Sequence, residues 1–285
     1  MAELKSRRVI LKDYVEGYPT EDHMELLPAA DVDEAAAAEE GSVLVKNLCL
    51  SCDPYMRPKM ARPQEQWYTE AYVPGTTITG FGVAQVVRSS LPGLAAGDLV
   101  SGVTGWEDYS VIKPPFAGQL TKIRPEDGLP LSYYTGVLGM PGFTAYLAGA
   151  LKKRFPDGID VYFENVGGKM LEAVLANMKV HGRIAVCGLI SQYNLAAGEK
   201  GAEELRARNL VYLISKRIRM QGFVEPDHKH LYPEYRAWVV PHIKDGKVVY
   251  VEDVVEGLDA APGALIGLFH GRNVGKQVVR LANPQ

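Results

Sequence analysis

Cysteine is scarce in this chain, with three residues among 285. So odd and sparse a set builds no disulfide framework, which implies a reducing compartment, and the cytosol is the expected location. Long apolar runs are lacking too: none approaches the ~18 consecutive residues that a membrane-spanning helix requires. The stretch Lys5, Arg7, Arg8, Val9-Ile10-Leu11, Lys12-Asp13 is too charged, and its apolar part too short, for a secretory signal. Positive charge is not in excess either. A formal net charge of −3 leaves no surplus of Lys and Arg to displace counterions, which argues against a nucleic-acid role. The one basic cluster, Lys216, Arg217 and Arg219, sits among apolar residues and reads as a helix end leading into a strand.

What is present is the composition of an ordinary soluble protein, 47% hydrophobic and 23% charged. The length suits two domains. Up to about Thr135 the chain is β-rich: Ser42–Leu50, Thr76–Val87, Leu99–Val103 and Tyr109–Ile112 are rich in Val, Ile, Thr and Tyr. Pro-Gly, Gly-Asp and Pro-Pro pairs punctuate them, as strands joined by turns require. The alanine and acid patch Asp31–Glu40 reads as a surface loop or short helix.

From about Gly136 the period changes. Thr144–Phe155 has helical spacing, with Ala148, Leu151 and Phe155 on one face. Ile159–Phe163 is an apolar run of buried-strand type, and Met170, Leu171, Val174, Leu175 and Met178 then recur at helical intervals before Gly182. Arg183–Cys187 and Arg219–Phe223 read as further buried strands, with Val248–Val251 a fourth candidate. The segment His230–Lys244 reads as a helix carrying Leu231, Tyr235, Trp238 and Val239 inward. A helix over Ala261–His270 and a strand over Lys276–Leu281 end the chain. Strands alternating with helices imply a parallel, helix-flanked sheet. That sheet is too small, since a complete dinucleotide-binding unit has about six strands. No G-x-G-x-x-G loop lies between a strand and a helix.

Cys49-x-x-Cys52 has no second Cys or His pair at a spacing that would complete about four zinc ligands. A redox C-x-x-C opens a helix, whereas Asp53-Pro54 follows here. The motif reads as structural, and no metal is expected.

Several longer segments, among them RRVILKDYVEGYPTEDHME, SCDPYMRPKM, LSYYTGVLGMPGFTAY, IDVYFENVGGKMLEAVLANM, HGRIAVCGLISQYN and NVGKQVV, carry a resemblance. Through them the chain resembles the plant alkenal double-bond reductases, in the leukotriene B4 dehydrogenase and prostaglandin reductase branch of the zinc-independent medium-chain dehydrogenase/reductase family. The resemblance implies an α/β fold: a β-rich GroES-like catalytic domain over 1–135, a Rossmann-type doubly wound parallel sheet over 136–258, and a C-terminal return over 259–285. It implies NADP(H) as cofactor and reduction of the C=C bond of α,β-unsaturated aldehydes and ketones. In such proteins PGFTAY opens a helix followed by a strand, a glycine-rich turn and further β–α elements before IDVYFENVGG. Here Tyr146 runs directly into Leu147–Phe155. About two β–α units, roughly 60 residues at ~30 each, are absent, so the Rossmann-type sheet is truncated.

The resemblance places Tyr193 beside the nicotinamide ribose, able to bond the cofactor and to help protonate an enolate; a phenol with pKa ~10 can donate at neutral pH. Taken alone, Tyr193 reads as a loop tyrosine with a solvated hydroxyl. Asn165, before Gly167-Gly168, opens a helix whose N-terminus favours anions, and the resemblance makes it a cofactor contact. The run Cys187, Gly188, Leu189, Ile190, Ser191, Gln192, Tyr193, then Phe223, Val224, Glu225, and finally Asn273 match the family's other cofactor-contacting segments. Phe223 reads equally as core packing. Tyr55 is placed facing the substrate cleft, where an aromatic suits an apolar alkenal or phenylpropenal; alone it is a turn tyrosine packed on its own loop. Two functions follow: a working NADPH-dependent alkenal reductase, or a non-catalytic splice or gene-model product of one. A homodimer paired through Arg219–Phe223 is a third, minor reading.

Overall fold

The structure is a computed structural model, and it describes residues 4–63, 69–124, 128–144, 159–195 and 210–283. The chain forms two compact units. One comprises Met1–Val15, Pro19–Met140 and Val240–Gln285, the other Glu16–Tyr18 and Pro141–Val239.

The first unit begins with β1 (Lys5–Leu11) and β2 (Met24–Asp31), an antiparallel pair. The alanine-rich patch is a single helical turn, α1 (Glu34–Ala37), capped by Asp33 Oδ1 accepting from the Ala36 amide at 2.9 Å. Next come β3 (Val43–Ser51), the turn α2 (Met56–Lys59), β4 (Thr79–Ser89), β5 (Leu99–Gly105), β6 (Tyr109–Ile112) and β7 (Thr121–Lys122). Strand β3 is buried almost throughout, as its position between β4, β6 and a strand from the chain's C-terminal end requires. Gly82 in β4 permits close packing there, because a Cβ would lie 2.6 Å from Thr104 Cγ2 and 2.9 Å from the Cys49 carbonyl.

The second unit contains β8 (Val161–Glu164), α3 (Gly168–Asn177), β9 (Arg183–Val186), α4 (Val211–Ser215), β10 (Arg219–Gly222) and most of α5 (Tyr232–Lys244). Among the described residues its three strands form one parallel sheet in the order β10-β9-β8. Leu171, Leu175 and Met178 of the helical repeat pack with Ile184 and Ile218 to make its core. The basic cluster does lead from a helix into a strand, and Lys216 Nζ caps α3 by donating to the carbonyls of Leu175 and Ala176 at 3.2 and 2.6 Å. The expected helix over Thr144–Phe155 is helical at 140–144 and otherwise lies outside the described residues.

The chain then returns to the first unit through β11 (Glu252–Glu256), α6 (Ala261–Phe269) and β12 (Lys276–Arg280). Strand β12 pairs antiparallel with β3, and β11 runs parallel beside β12, giving a seven-stranded sheet. Leu258, Leu265 and Val279 from this return share a core with Val9, Leu11, Leu50, Met56 and Trp106.

Three sequence expectations are corrected. Arg219–Phe223 holds a strand, but not a buried one: Arg219, Gln221 and Gly222 of β10 are exposed, because among the described residues β10 pairs with β9 alone and stands at the sheet edge. Val248–Val251 is not a strand of the parallel sheet: Val249 is 85% exposed, and the strand starts at Glu252, in the other unit's sheet. The Val248 amide turns back to His242 O at 3.1 Å, and the segment reaches β12 through Val251 O, which accepts from the Lys276 amide at 2.9 Å, so β propensity alone does not make it a strand. Trp238 of α5 does not point inward but is 41% exposed, while Tyr235 and Val239, one helical turn apart, are buried.

Candidate active site

Parallel register brings the three strand ends of the second unit level, with Glu164 opposite Val186 and Val186 opposite Gly222. Asn165, Cys187–Tyr193 and Phe223–Glu225 are the segments that leave those ends. They therefore gather along the carboxyl edge of one sheet, where open α/β sheets bind ligands. Each of these residues is half-buried.

The loop from Cys187 to Tyr193 is preorganised by its own backbone. The amides of Cys187 and Gly188 donate to Glu164 O at 3.0 and 3.2 Å, Ile190 to Asn165 O at 2.9 Å, and Ser191 to Val166 O at 2.9 Å. Gln192 and Tyr193 amides donate to Leu189 O and Ile190 O at 2.8 and 3.3 Å. The remaining amide, that of Leu189, donates to the Tyr193 hydroxyl at 3.1 Å. All seven amides are thus engaged and are not available to a ligand. Cys187 Sγ donates to Asn165 Oδ1, which ties the first two segments together. Burial pushes the Cys187 thiol up to about 12, so it stays protonated as a donor.

Tyr193 accepts a hydrogen bond and keeps its own proton available. Burial raises its pKa further above the ordinary phenol value. Phe223 stacks on Phe163 with ring centroids 6.3 Å apart, in keeping with a packing role on the sheet end. Burial also raises the Glu225 carboxyl, and its Oε2 has no partner among the described residues.

The turn before α3 departs from expectation. Gly167, at φ +76°, caps the helix, but two of the turn's amides do not await an external anion. Glu164 Oε1 accepts from the Val166 and Gly167 amides at 2.5 and 2.8 Å, and the residue is fully buried. The chain's own carboxylate occupies the position a phosphate oxygen would take. Sequence reasoning missed Glu164; the available signal was an acidic residue closing an otherwise apolar strand.

In the first unit, Tyr55 begins the turn α2 and meets Phe81 edge-on at 5.9 Å. Asn273 donates from Nδ2 to Gly275 O at 2.7 Å, and the Val274 amide reaches Asp253 Oδ2 at 3.0 Å. Cys49 and Cys52 are buried, and desolvation pushes both thiols up to about 12, the reverse of what thiolate ligands need. Among the described residues no group of three or more His, Cys, Asp or Glu side chains is placed to hold a metal ion. No described helix is long and apolar enough to cross a membrane.

For a nicotinamide dinucleotide the fit is uneven. A phenolic hydroxyl, an asparagine anchored by Cys187 and a loop held by its backbone hydrogen bonds suit a nicotinamide ribose. For a pyrophosphate, the amides of Val166, Gly167 and the 187–193 loop are already taken.

Comparison with known proteins gives the same direction. A family model described as the N-terminal domain of oxidoreductase matches residues 7–123. The NADP(+)-dependent 2-alkenal reductase of Nicotiana tabacum is 47% identical, with 98% of each chain covered. The (+)-pulegone reductase of Mentha piperita is 39% identical, over 97% of this chain and 98% of its own. The crystal structure of CurA from Vibrio vulnificus superposes with a TM-score of 0.81 at 30% identity, covering 98% of this chain and all of CurA; the same protein has been solved with NADPH. The tobacco alignment spans 351 positions against 285 residues here, so at least 66 of its positions face no residue of this chain. Because the alignment reaches 98% of the relative's length, those positions are internal.

Proposed function

The chain belongs to the NADP-dependent alkenal double-bond reductases of the zinc-independent medium-chain family, and we propose that it reduces the C=C bond of α,β-unsaturated aldehydes or ketones at the loop Cys187–Tyr193. One observation carries this reading: three parallel strands deliver Asn165, the 187–193 loop and Phe223–Glu225 to a single sheet edge. Asn165, Cys187–Tyr193, Phe223–Glu225 and Asn273 are the residues that would hold NADP(H). The bound cofactor supplies a hydride to the substrate β-carbon. The resulting enolate needs a proton at the α-carbon, and Tyr193 is proposed to help deliver it. The Leu189 amide fixes the direction of its hydroxyl, and burial keeps the phenol protonated through the neutral range. Tyr55 is proposed to face the substrate's apolar body. The regions 1–135 and 259–285 would then form the catalytic domain and 136–258 the cofactor domain.

A second reading, a non-catalytic or cofactor-impaired variant, is favoured by the internal gap of at least 66 positions. Incubating the purified chain with excess NADPH and a 2-alkenal, and following loss of enone absorbance, separates the two. Cytoplasmic residence, and a homodimer paired through the β10 edge, complete the proposal.

A further inference from the structure

The turn that carries Tyr55 is gripped by a residue from the far end of the chain. Lys276 opens β12, and its Nζ lies 2.6 Å from the Cys52 carbonyl oxygen and 3.0 Å from Asp53 Oδ1. Both partners are withdrawn from solvent, with side chains 12% and 1% exposed for Lys276 and Asp53. Asp53 Oδ2 is buried with no partner among the described residues, so the ammonium is the group that offsets this carboxylate. One cation therefore meets acceptors on two consecutive residues, directly ahead of Pro54 and Tyr55. A backbone carbonyl and a carboxylate that converge on one ammonium fix the direction of the chain between them. Beyond Tyr55 the turn hangs on the same gripped residues. The amides of Met56 and Arg57 donate to Asp53 O and Pro54 O, each at 3.1 Å, and Arg57 Nη2 reaches Val15 O at 3.1 Å.

We propose that Lys276 is a positioning residue that sets how Tyr55 is presented to the unsaturated carbonyl substrate. The proposal rests on the reading of Tyr55 as a substrate contact. Neutralising a buried carboxylate would need the Asp53 bond alone; the second bond, to the Cys52 carbonyl, is what defines the backbone course into Tyr55. The Asn273 turn does not depend on this ammonium. It is held by Asn273 Nδ2 on Gly275 O, by the Val274 amide on Asp253 Oδ2 and by the Lys276 amide on Val251 O at 2.9 Å. Gly275, at φ +88°, fits there because a Cβ would lie 2.3 Å from Val251 O. Loss of the Lys276 ammonium should thus affect enone binding and spare NADPH binding.

Replacing Lys276 alone would leave a buried uncompensated charge, so the test pairs Lys276→Met with Asp53→Asn. In this charge-free double variant, amide exchange at Met56 and Arg57 should accelerate about tenfold while Val279 in β12 keeps its protection. Affinity for an aromatic α,β-unsaturated ketone, measured calorimetrically without cofactor, should fall about tenfold, and NADPH affinity should change less than about twofold. Lys276→Arg, which keeps the charge on a bulkier planar head, is the second variant and should show the same split in milder form. Unchanged exchange at Met56 and Arg57 overturns the tether. Faster exchange with unaltered ketone affinity overturns the positioning role. Tyr55→Ala separates the two layers: if it weakens ketone binding and the Lys276 variants do not, this inference alone falls. If Tyr55→Ala has no effect, or the parent chain does not bind the ketone, the reading of Tyr55 falls and the positioning role with it.

Discussion

Restoring the missing internal positions should tighten NADPH binding by about two to six powers of ten, because an absent strand–helix turn takes its N–H donors with it. In dinucleotide-binding sheets that group sits on backbone N–H donors at a strand–helix turn. Here Glu164 occupies the Val166 and Gly167 amides, and each amide from Cys187 to Tyr193 is bonded within the unit. A hydrogen bond to a charged group contributes ~1.5–3 kcal/mol. Two or three fewer of them correspond to about two to six powers of ten at ~1.4 kcal/mol per tenfold. The perturbation is insertion, between Tyr146 and Leu151, of the segment by which the tobacco relative exceeds this chain. NADPH fluorescence titration of both proteins supplies the comparison. Micromolar binding by the 285-residue chain, unimproved by the insertion, refutes the reasoning.

Tyr193→Phe should lower turnover at saturating NADPH by about a hundredfold, the low end for a lost proton donor, and a decrease under threefold would remove Tyr193 from the protonation step. The same change leaves the Leu189 amide without its acceptor and should cost ~1–3 kcal/mol in urea unfolding. Glu164→Ala removes the acceptor of two amides and should destabilise the second unit by about 2–4 kcal/mol, whereas Glu164→Gln retains an acceptor oxygen and should cost under ~1.5 kcal/mol; equal losses would show that the carboxylate is not bonding those amides. Gly82→Ala forces a Cβ against Thr104 and the Cys49 carbonyl and should cost ~1–3 kcal/mol, read as a lower melting temperature. Cys49, Cys52 and Cys187 have folded pKa values raised from 9.0 to about 12, so the folded state retains protons that the unfolded chain releases. Their contribution to stability is complete below about 9 and declines as pH rises from there toward about 12; a urea midpoint that rose across that window would contradict the burial of the thiols.

Local periodicity and turn chemistry were enough to place most elements, because both act over a few residues. Tyr109–Ile112 is a strand as read, Arg183–Val186 ends one residue short of the expected Cys187, and the helical repeat from Met170 became Gly168–Asn177. The family segments, and the shortage of strands in the parallel sheet, were likewise visible without coordinates. Where short-range pattern is ambiguous the reading failed: Val248–Val251 has strand composition, yet the strand forms at Glu252–Glu256 beside β12. Only the tertiary structure decided which groups meet across long separations. It set Lys276 on Cys52 and Asp53, 224 and 223 positions away. A side chain's partner is settled by sheet register and burial, and neither is encoded in any single stretch of the chain.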